Sequence, residues 1–266
     1  MTQQHTPLKV LAAALLASFA VFAHAADHKA PEAHAEHAAH AAHAPHWGYE
    51  GMAGAQHWGN MEPGFALCKS GKAQSPIDIT MDGAVKPAPI QFGYTQGNAE
   101  LTNNGHTIQL NLPAGGAIKI DGVDYTLVQF HFHTPSEEKI HGKAYPMVAH
   151  LVHKSAAGQL AVVAVLFDEG DENKALKTIF AGLPAKAGDT VKLAAGFNAS
   201  DILPAYKGYY KFVGSLTTPP CSEGVQWQVL KQRVELSKTQ IAAFRKLFKM
   251  NARPVQPLNG RKVDES

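Results

Sequence analysis

The chain has 266 residues, of which 45% are hydrophobic and 17% are charged, which suits one large globular domain rather than a disordered chain. Lysine and arginine total 24 against 22 acidic residues. This balance excludes the basic excess typical of proteins that bind nucleic acid or anionic membranes. It is compatible with a small neutral or singly charged substrate.

The first 25 residues have the pattern of a cleaved secretory signal. A short start with Lys9 precedes an apolar run over residues 10–23, and Ala23-His24-Ala25 fits the small-x-small cleavage rule. The run is shorter than the roughly 20 residues needed to span a bilayer. We therefore predict a soluble protein that is exported to the periplasm, is cleaved after Ala25 and has no membrane anchor.

Residues 26–45 are rich in alanine and histidine, and histidines recur every three residues from His34 to His46. The segment has no branched aliphatic or aromatic residue, so it cannot bury a core, and we predict a disordered leader. Two roles remain open for it. It is either a solvated spacer or a segment whose mobile imidazoles collect metal ions.

From residue 46 to residue 266 we predict one domain that is mainly β (α+β). It has one large twisted, mostly antiparallel central sheet with a few short peripheral helices, because short apolar runs alternate with Gly, Pro and Asn. The predicted strands are 89–94, 99–103, 107–112, 117–120, 125–133, 148–153, 160–168, 209–215 and 225–234. Helices are predicted at 171–181 and 237–250, the second opening with a capping box of Ser237 and Gln240.

Three histidines in two of these strands form a candidate metal site. His131 and His133 are two residues apart, so they face the same side of one strand. If the next strand folds back beside it, His150 joins the pair while His153 points to the other face. Three imidazoles with an open fourth position suit a catalytic zinc ion, whereas structural zinc sites usually have four protein ligands. We assign no site role to His153 or to His141, which lies in the turn.

Cys68 and Cys221 are the only cysteines in the sequence. An even count in an exported chain predicts one disulfide. Closing so long a loop would stabilise the fold by about 4 to 5 kcal/mol in the chain-entropy model. Two unrelated buried thiols are the alternative.

Six separated motifs occur along the chain, from about Trp47 to Pro254. They are Gln-Ser-Pro-Ile-Asp-Ile (74–79), Asn-Asn-Gly-His (103–106), Gln-Phe-His-Phe-His (129–133), Ser-Glu (136–137), His-Leu-Val-His (150–153) and Ser-Leu-Thr-Thr-Pro-Pro-Cys (215–221). Together they resemble the alpha-class carbonic anhydrases of the bacterial exported type. The resemblance implies zinc-dependent, reversible hydration of carbon dioxide to bicarbonate and a proton, through zinc-bound hydroxide and a histidine proton shuttle.

The resemblance also implies the zinc ligands, which are His131, His133 and His150. Gln129 is present to orient the His131 ring. The family commonly has a glutamate two positions before the third ligand, where this chain has Val148. Losing such a partner typically costs about 10- to 100-fold in metal affinity or activity. The usual carboxylate partner of His150 is therefore missing at its expected place, from which we derive the hypothesis that the protein retains zinc less tightly.

Three further residues have implied catalytic roles. Thr217 accepts a hydrogen bond from the zinc-bound hydroxide because its own proton is donated to Glu137, which must remain ionised. His106 is the implied proton shuttle, and an imidazole with an ordinary pKa of about 6.5 suits a relay. It follows the turn signal Asn103-Asn104-Gly105. The polar groups implied to order the relay waters are Tyr49, Asn104 and Gln109.

The substrate also has an implied binding region. Carbon dioxide is apolar, so it requires an apolar wall rather than hydrogen-bonding groups. The residues that match this wall are Val152, Val162, Leu216, Val225 and Trp227. The backbone N–H of Thr217 and the hydroxyl of Thr218 match the groups that position substrate and bicarbonate.

A non-catalytic periplasmic zinc-storage protein is the alternative function. The presence of Glu137, Thr217 and His106 together with all three ligands favours the enzyme. We expect carbon dioxide or bicarbonate as the small-molecule partner, with no nucleic acid. We expect the protein to be a monomer or a homodimer.

Overall fold

The computed structural model describes residues 46–80, 83 and 85–266. The predicted signal peptide at 1–25 and the predicted leader at 26–45 lie outside the described residues. None of the helices in the described ranges combines the length and the apolar character needed to cross a membrane.

The described residues form fourteen strands and four short α-helices. The strands are β1 (Asp78–Ile79), β2 (Gln91–Tyr94), β3 (Gly97–Asn103), β4 (Ile108–Asn111), β5 (Gly116–Ile120), β6 (Val123–His133), β7 (Lys139–Ile140), β8 (Met147–Ser155), β9 (Leu160–Glu169), β10 (Thr190–Phe197), β11 (Tyr209–Ser215), β12 (Glu223–Leu230), β13 (Val234–Leu236) and β14 (Asp264–Glu265). The helices are α1 (Trp58–Met61), α2 (Leu67–Ser70), α3 (Lys177–Ala181) and α4 (Lys238–Leu247).

Twelve of these strands belong to one sheet. Its main path runs β10-β3-β4-β6-β8-β9-β12-β11-β14, with β13 beside β9 and with β2 joined through β5 to β6. Neighbours are antiparallel except that β12 and β13 run parallel to β9. The remaining strands, β1 and β7, form a separate parallel pair. The predicted fold class, one large and mostly antiparallel sheet with few short helices, is confirmed.

The two faces of β6 separate the histidines from the main hydrophobic core. Phe132 packs against Phe180 of α3 and Phe244 of α4, with ring centroids 5.4 and 6.0 Å apart. His131 and His133 alternate with these buried positions, so they project from the opposite face of the sheet. The strand that carries the histidines is therefore anchored by the core on its other side.

The strand predictions differ from the structure in the run at 225–234 and in four strands that were not predicted, which are β10 and the two-residue strands β1, β7 and β14. The run at 225–234 forms two strands, because the chain leaves β12 after Leu230 and Lys231 N donates to Gly208 O, before β13 begins at Val234. Strand β10 was not predicted. Its residues are mostly exposed, so they lack the alternation of apolar and polar side chains that indicates a half-buried strand.

The helix predictions were too long. The capping box is present, because Ser237 Oγ accepts from Gln240 N and Ser237 N donates to Gln240 Oε1, but α4 ends at Leu247. Helix α3 begins only at Lys177. Before it, Asn173 Oδ1 accepts from Leu176 N and Asn173 N donates to Gln240 Oε1, which holds the preceding residues in a turn.

Cys68 and Cys221 form the predicted disulfide, which joins residues 153 positions apart. It connects α2 to the loop that follows β11. Trp58 is fully buried beside this disulfide. The bond therefore fastens the start of the domain to the loop that carries Thr217.

His153 is fully buried on the face of β8 opposite His150. Its Nε2 lies 2.8 Å from the Tyr94 hydroxyl, and its Nδ1 lies 3.3 Å from Ala161 O. Burial lowers the pKa of His153 from 6.5 to about 3, although its backbone hydrogen bonds act in the opposite direction. The folded protein thus keeps this imidazole neutral, which agrees with a structural rather than a metal-binding position.

We expect the neutral His153 to make the fold sensitive to acid. Between pH 6.5 and about 3, the unfolded chain binds one more proton here than the folded chain. Stability from this group is therefore complete above the unfolded pKa and falls as pH drops, by about 1.4 kcal/mol per pH unit. The difference in unfolding free energy between wild type and His153→Gln should shrink by about 2 kcal/mol from pH 7 to pH 5.

Urea unfolding of the metal-free proteins measures this difference without a contribution from metal loss. Tyr94→Phe is the matched control, because it removes one partner and keeps the buried imidazole. It should show the wild-type dependence on pH. A wild-type-minus-His153→Gln difference that stays constant between pH 7 and pH 5 would contradict the expectation.

Candidate active site

The register of β6 and β8 brings the three predicted metal ligands together. His131 lies directly opposite His150 in this antiparallel pair, and His133 follows two residues along β6. One ligand nitrogen from each of the three rings lies within 4.8 Å of the other two. The triangle of imidazoles is thus set by the backbone hydrogen bonds of two neighbouring strands.

Each of the three rings has one nitrogen occupied by a neighbouring acceptor. The pairs are His131 Nδ1 with Gln129 Oε1 at 2.9 Å, His133 Nδ1 with Asn251 O at 2.7 Å, and His150 Nε2 with Glu138 Oε2 at 3.1 Å. The nitrogens left free are His131 Nε2, His133 Nε2 and His150 Nδ1. These contacts determine which nitrogen of each ring can bind a metal.

The free nitrogens fit a zinc ion. His133 Nε2 is buried and has no hydrogen-bond partner among the described residues, an arrangement that is costly unless another ligand satisfies the atom. Burial lowers the pKa of His131 to about 3 and that of His133 well below its ordinary value, and His150 adds to both effects. Neutral imidazoles are the form that binds a metal, and three of them with an open position suit zinc.

His150 has a different electrostatic environment from the other two rings. Burial lowers its pKa, but the Glu138 carboxylate and then Glu137 raise it by more, so the pKa is raised overall. Its Nδ1 lies 3.8 Å from Glu137 Oε2. Two buried carboxylates therefore make this side of the site favourable for positive charge.

Glu137 lies at the centre of the site with 1% of its surface exposed. Its Oε1 accepts from Arg253 N at 2.7 Å, and its Oε2 lies 3.6 Å from His133 Nε2. Burial raises the pKa of Glu137 to about 7, while His150, the Arg253 backbone and a hydrogen bond from Thr217 act in the opposite direction. The structure therefore pairs Glu137 with Thr217.

The loop that carries Thr217 is held at both ends. Leu216 N donates to Ser222 O at 3.0 Å, and Cys221 N donates to Thr218 O at 2.9 Å. The disulfide of Cys221 holds the same loop to α2. Thr217 is 6% exposed, so its hydroxyl is fixed in the interior of the site, and the neighbouring Thr218 is half-buried.

The predicted apolar wall lies in one hydrophobic cluster on the histidine side of the sheet. Val162, Val225 and Trp227 are buried in it, and Val152 and Leu216 pack against it with partial exposure. The Trp227 ring meets the His150 ring edge-on, with centroids 4.9 Å apart. Its Nε1 donates to Ser215 O at 3.0 Å, so a hydrogen bond fixes the ring beside the third ligand.

His106 lies in the turn between β3 and β4. Asn104 Oδ1 accepts from His106 N and from Thr107 N, each at 3.0 Å, and Gly105 between them has a φ of +86°. The imidazole is stacked on Trp47 with centroids 3.6 Å apart and 6° between the planes. Burial, then the charge of His46, lowers the pKa of His106 to about 4.

Two of the predicted polar partners lie near the ligands. The Tyr49 hydroxyl is buried without a hydrogen-bond partner among the residues that the structure describes. Burial and then the Glu137 carboxylate raise the pKa of Tyr49 well above its ordinary value. Gln109 lies opposite His131 in the register of β4 and β6, and its amide donates to Asn111 Oδ1 at 2.7 Å.

The sequence interpretation missed three residues that organise the site: Glu138, Asn251 and Arg253. Position 148 has no carboxylate, as the sequence indicates, but Glu138 supplies one to His150 from outside β8. A second acidic residue after Glu137 was the available signal. Asn251 and Arg253 contact His133 and Glu137 through backbone atoms, which leave no pattern in a sequence.

The three convergent imidazoles on the sheet form a metal-binding type of active site. Comparison with known proteins identifies the family. The family model described as eukaryotic-type carbonic anhydrase matches residues 53–266. The carbonic anhydrase of Pectobacterium carotovorum is 44% identical, covering 81% of this chain and 88% of that protein. That of Neisseria gonorrhoeae is 47% identical, covering 82% and 87%.

Solved structures give the same result. The alpha-carbonic anhydrase from Thermovibrio ammonificans in complex with the inhibitor sulfanilamide superposes with a TM-score of 0.80 at 46% identity, covering 82% of this chain and 98% of that one. The chain belongs to the eukaryotic-type, or alpha, carbonic anhydrase family. It is therefore an enzyme of the carbonic anhydrase class.

Proposed function

We propose that this protein catalyses the reversible hydration of carbon dioxide to bicarbonate and a proton with a zinc ion held by His131, His133 and His150. The observation that supports this best is the convergence of three free imidazole nitrogens beside the Glu137–Thr217 pair. Membership of the carbonic anhydrase family supports the reaction. The donor set supports the choice of metal.

When bound, zinc supplies an acidified water as the nucleophile, with a pKa lowered to about 7, the value established for carbonic anhydrases. The protein groups hold and orient the reactants. Gln129, Asn251 O and Glu138 fix the ring tautomers, so each ligand presents a lone pair to the same point.

Thr217 and Glu137 orient the nucleophile. The Thr217 hydroxyl donates its proton to the Glu137 carboxylate, so the hydroxyl oxygen is left to accept a hydrogen bond from the nucleophile. This directs the lone pair of the nucleophile towards the carbon of the substrate. Carbon dioxide lies against the apolar cluster of Val152, Val162, Leu216, Val225 and Trp227, while Thr217 N–H and the Thr218 hydroxyl hold its oxygens and those of bicarbonate.

His106 transfers the product proton towards solvent. In the stacked position burial and then His46 keep the pKa of the ring at about 4, so the ring is neutral and holds a proton only weakly there. A ring that turns away from Trp47 into water regains an ordinary pKa near 6.5 and holds the proton for release to buffer. The path of the proton also has polar groups, which belong to Tyr49, Asn104 and Gln109.

His106→Ala should lower turnover by about tenfold or more in dilute buffer, which is a modest share of what general acid–base catalysis supplies. Added imidazole should restore much of the loss because it carries the proton in place of the side chain. Stopped-flow hydration of carbon dioxide at several buffer concentrations measures both effects. His141→Ala, which removes an exposed turn histidine, is the matched control; equal rates for His106→Ala and this control in dilute buffer would refute the shuttle.

Stopped-flow hydration by the purified protein, with and without a zinc-directed sulfonamide, tests the proposed reaction. We expect one zinc per chain, a hydration rate far above that of buffer, and inhibition by the sulfonamide. One zinc per chain with a rate equal to that of buffer would favour the storage protein instead.

We also propose that the chain is exported to the periplasm after cleavage at Ala25, that residues 26–45 form a leader, and that residues 46–266 form the catalytic domain. The disulfide supports an oxidising compartment. The enzyme would act there as a monomer or homodimer. Cell fractionation and N-terminal sequencing of the mature protein test the export and the cleavage site, and recovery of the uncleaved chain in the cytoplasm would oppose both.

A further inference from the structure

Glu138 is a buried acidic residue in the turn between β6 and β8. Its exposed fraction is 0%, and its Oε2 lies 3.1 Å from His150 Nε2. Its Oε1 has no hydrogen-bond partner within the described ranges. A buried carboxylate is unfavourable unless it is paired, so the contact with His150 is the interaction that stabilises this group in its position.

Position 148 offers His150 no acceptor. Val148 lies two residues before His150 on the same face of β8 and is fully buried, opposite His133 in the register of the two strands. It packs in the apolar cluster with Val162 and Trp227. A carboxylate can therefore reach His150 Nε2 only from outside its own strand, and the turn that carries Glu138 brings one there.

We propose that Glu138 is the positioning residue of His150. It holds the ring so that Nδ1 faces the zinc ion, and it makes that nitrogen a stronger electron-pair donor to the metal. This inference rests on the proposed zinc site. The His150 Nε2–H donates to Glu138 Oε2, which fixes both the tautomer and the rotation of the ring. The carboxylate also offsets the positive charge that the ring shares with a bound cation.

The position of Glu138 links two parts of the site. Glu137, the preceding residue, receives the Thr217 hydrogen bond, while Glu138 receives that of His150. One two-residue segment therefore orients a metal ligand and the residue that orients the nucleophile. Turn residue Ser136 stabilises the same segment, since its hydroxyl donates to Glu138 O at 2.8 Å and accepts from Tyr145 N at 2.9 Å.

The test compares Glu138→Gln and Glu138→Leu with wild type. Gln keeps an acceptor without charge, whereas Leu removes both. Zinc-loaded protein is mixed with a chelator, and the rate of zinc loss is followed. We expect loss to be about 10- to 100-fold faster for Glu138→Leu, with Glu138→Gln between it and wild type.

A second carboxylate position provides the rescue. Val148→Glu places a carboxylate on the His150 face of β8, so in the Glu138→Leu background it should slow zinc loss again. In the wild-type background it should not, because Glu138 already occupies His150 Nε2. If the double variant fails to fold, the comparison of Glu138→Leu with wild type still decides the inference.

The unfolding free energy of the metal-free proteins separates positioning from a structural role. A positioning role predicts faster zinc loss from Glu138→Leu under conditions in which the metal-free variant remains fully folded, which its unfolding free energy establishes. Zinc loss within twofold of wild type in Glu138→Leu would overturn the inference and leave the proposed function intact. A wild-type protein that binds no zinc would overturn both.

Discussion

Replacing His133 with alanine is expected to eliminate stoichiometric zinc binding and to reduce carbon dioxide hydration to the rate of buffer. His133 Nε2 is a buried nitrogen without another hydrogen-bond partner among the described residues, and the two remaining rings cannot complete a tetrahedral site. The loss in affinity should exceed about 100-fold, the upper end of what removing only a supporting partner costs. Zinc per chain after dialysis, together with stopped-flow hydration, measures it.

His153→Gln is the matched control for this variant. It alters a buried histidine of the same hairpin, but on the opposite face of the sheet, where Tyr94 is its neighbour. It should keep one zinc per chain and near wild-type hydration at neutral pH. A His133→Ala protein that keeps zinc under chelator as long as wild type would show that the metal lies elsewhere.

Removing the disulfide with Cys68→Ser and Cys221→Ser together should have the largest effect on stability. The bond closes a loop with a sequence separation of 153, for which the chain-entropy model gives about 5 kcal/mol, and measured losses in secreted domains run from about 2 to 5 kcal/mol. Urea unfolding of the double variant and of oxidised wild type measures the change.

Hydration activity provides a second readout of the same variant. The Thr217 loop loses its covalent tie to α2, so we expect kcat to fall even at temperatures where the fold persists. Wild type treated with a reductant is the control and should lose the same stability. Equal denaturant midpoints for the oxidised wild type and the double variant would contradict the prediction.

The fold could be predicted where burial gives a pattern. Strand β6 carries alternating apolar side chains, because one face meets the core cluster of Phe130 and Phe132. Strand β8 is buried on both faces, and a short apolar run between turn residues identified it. Strand β10 pairs only with β3, at an edge of the sheet, and its exposed side chains carry no such signal. The start of α3 depends on hydrogen bonds from Asn173 to residues more than sixty positions away, which local propensity cannot anticipate.

The site could be predicted where it depends on side chains of one hairpin. A period of two placed His131 and His133 on one face, and the antiparallel return brought His150 beside them. The partners that fix the rings were less accessible. His133 is held by a backbone carbonyl 118 residues away, and His150 is held by a turn residue rather than by its own strand, so neither contact follows from spacing alone.

The antiparallel pairing of His131 with His150 also determines how the protein behaves when metal is scarce. The hydrogen-bonded pairing of two strands sets the ligand geometry, so we expect the metal-free protein to stay folded with its ligands in place. Zinc then adds only its own binding free energy to stability, about 4 kcal/mol at a free concentration one thousand times the dissociation constant. We therefore expect the activity of molecules already made to follow the supply of zinc rather than the synthesis of new chains.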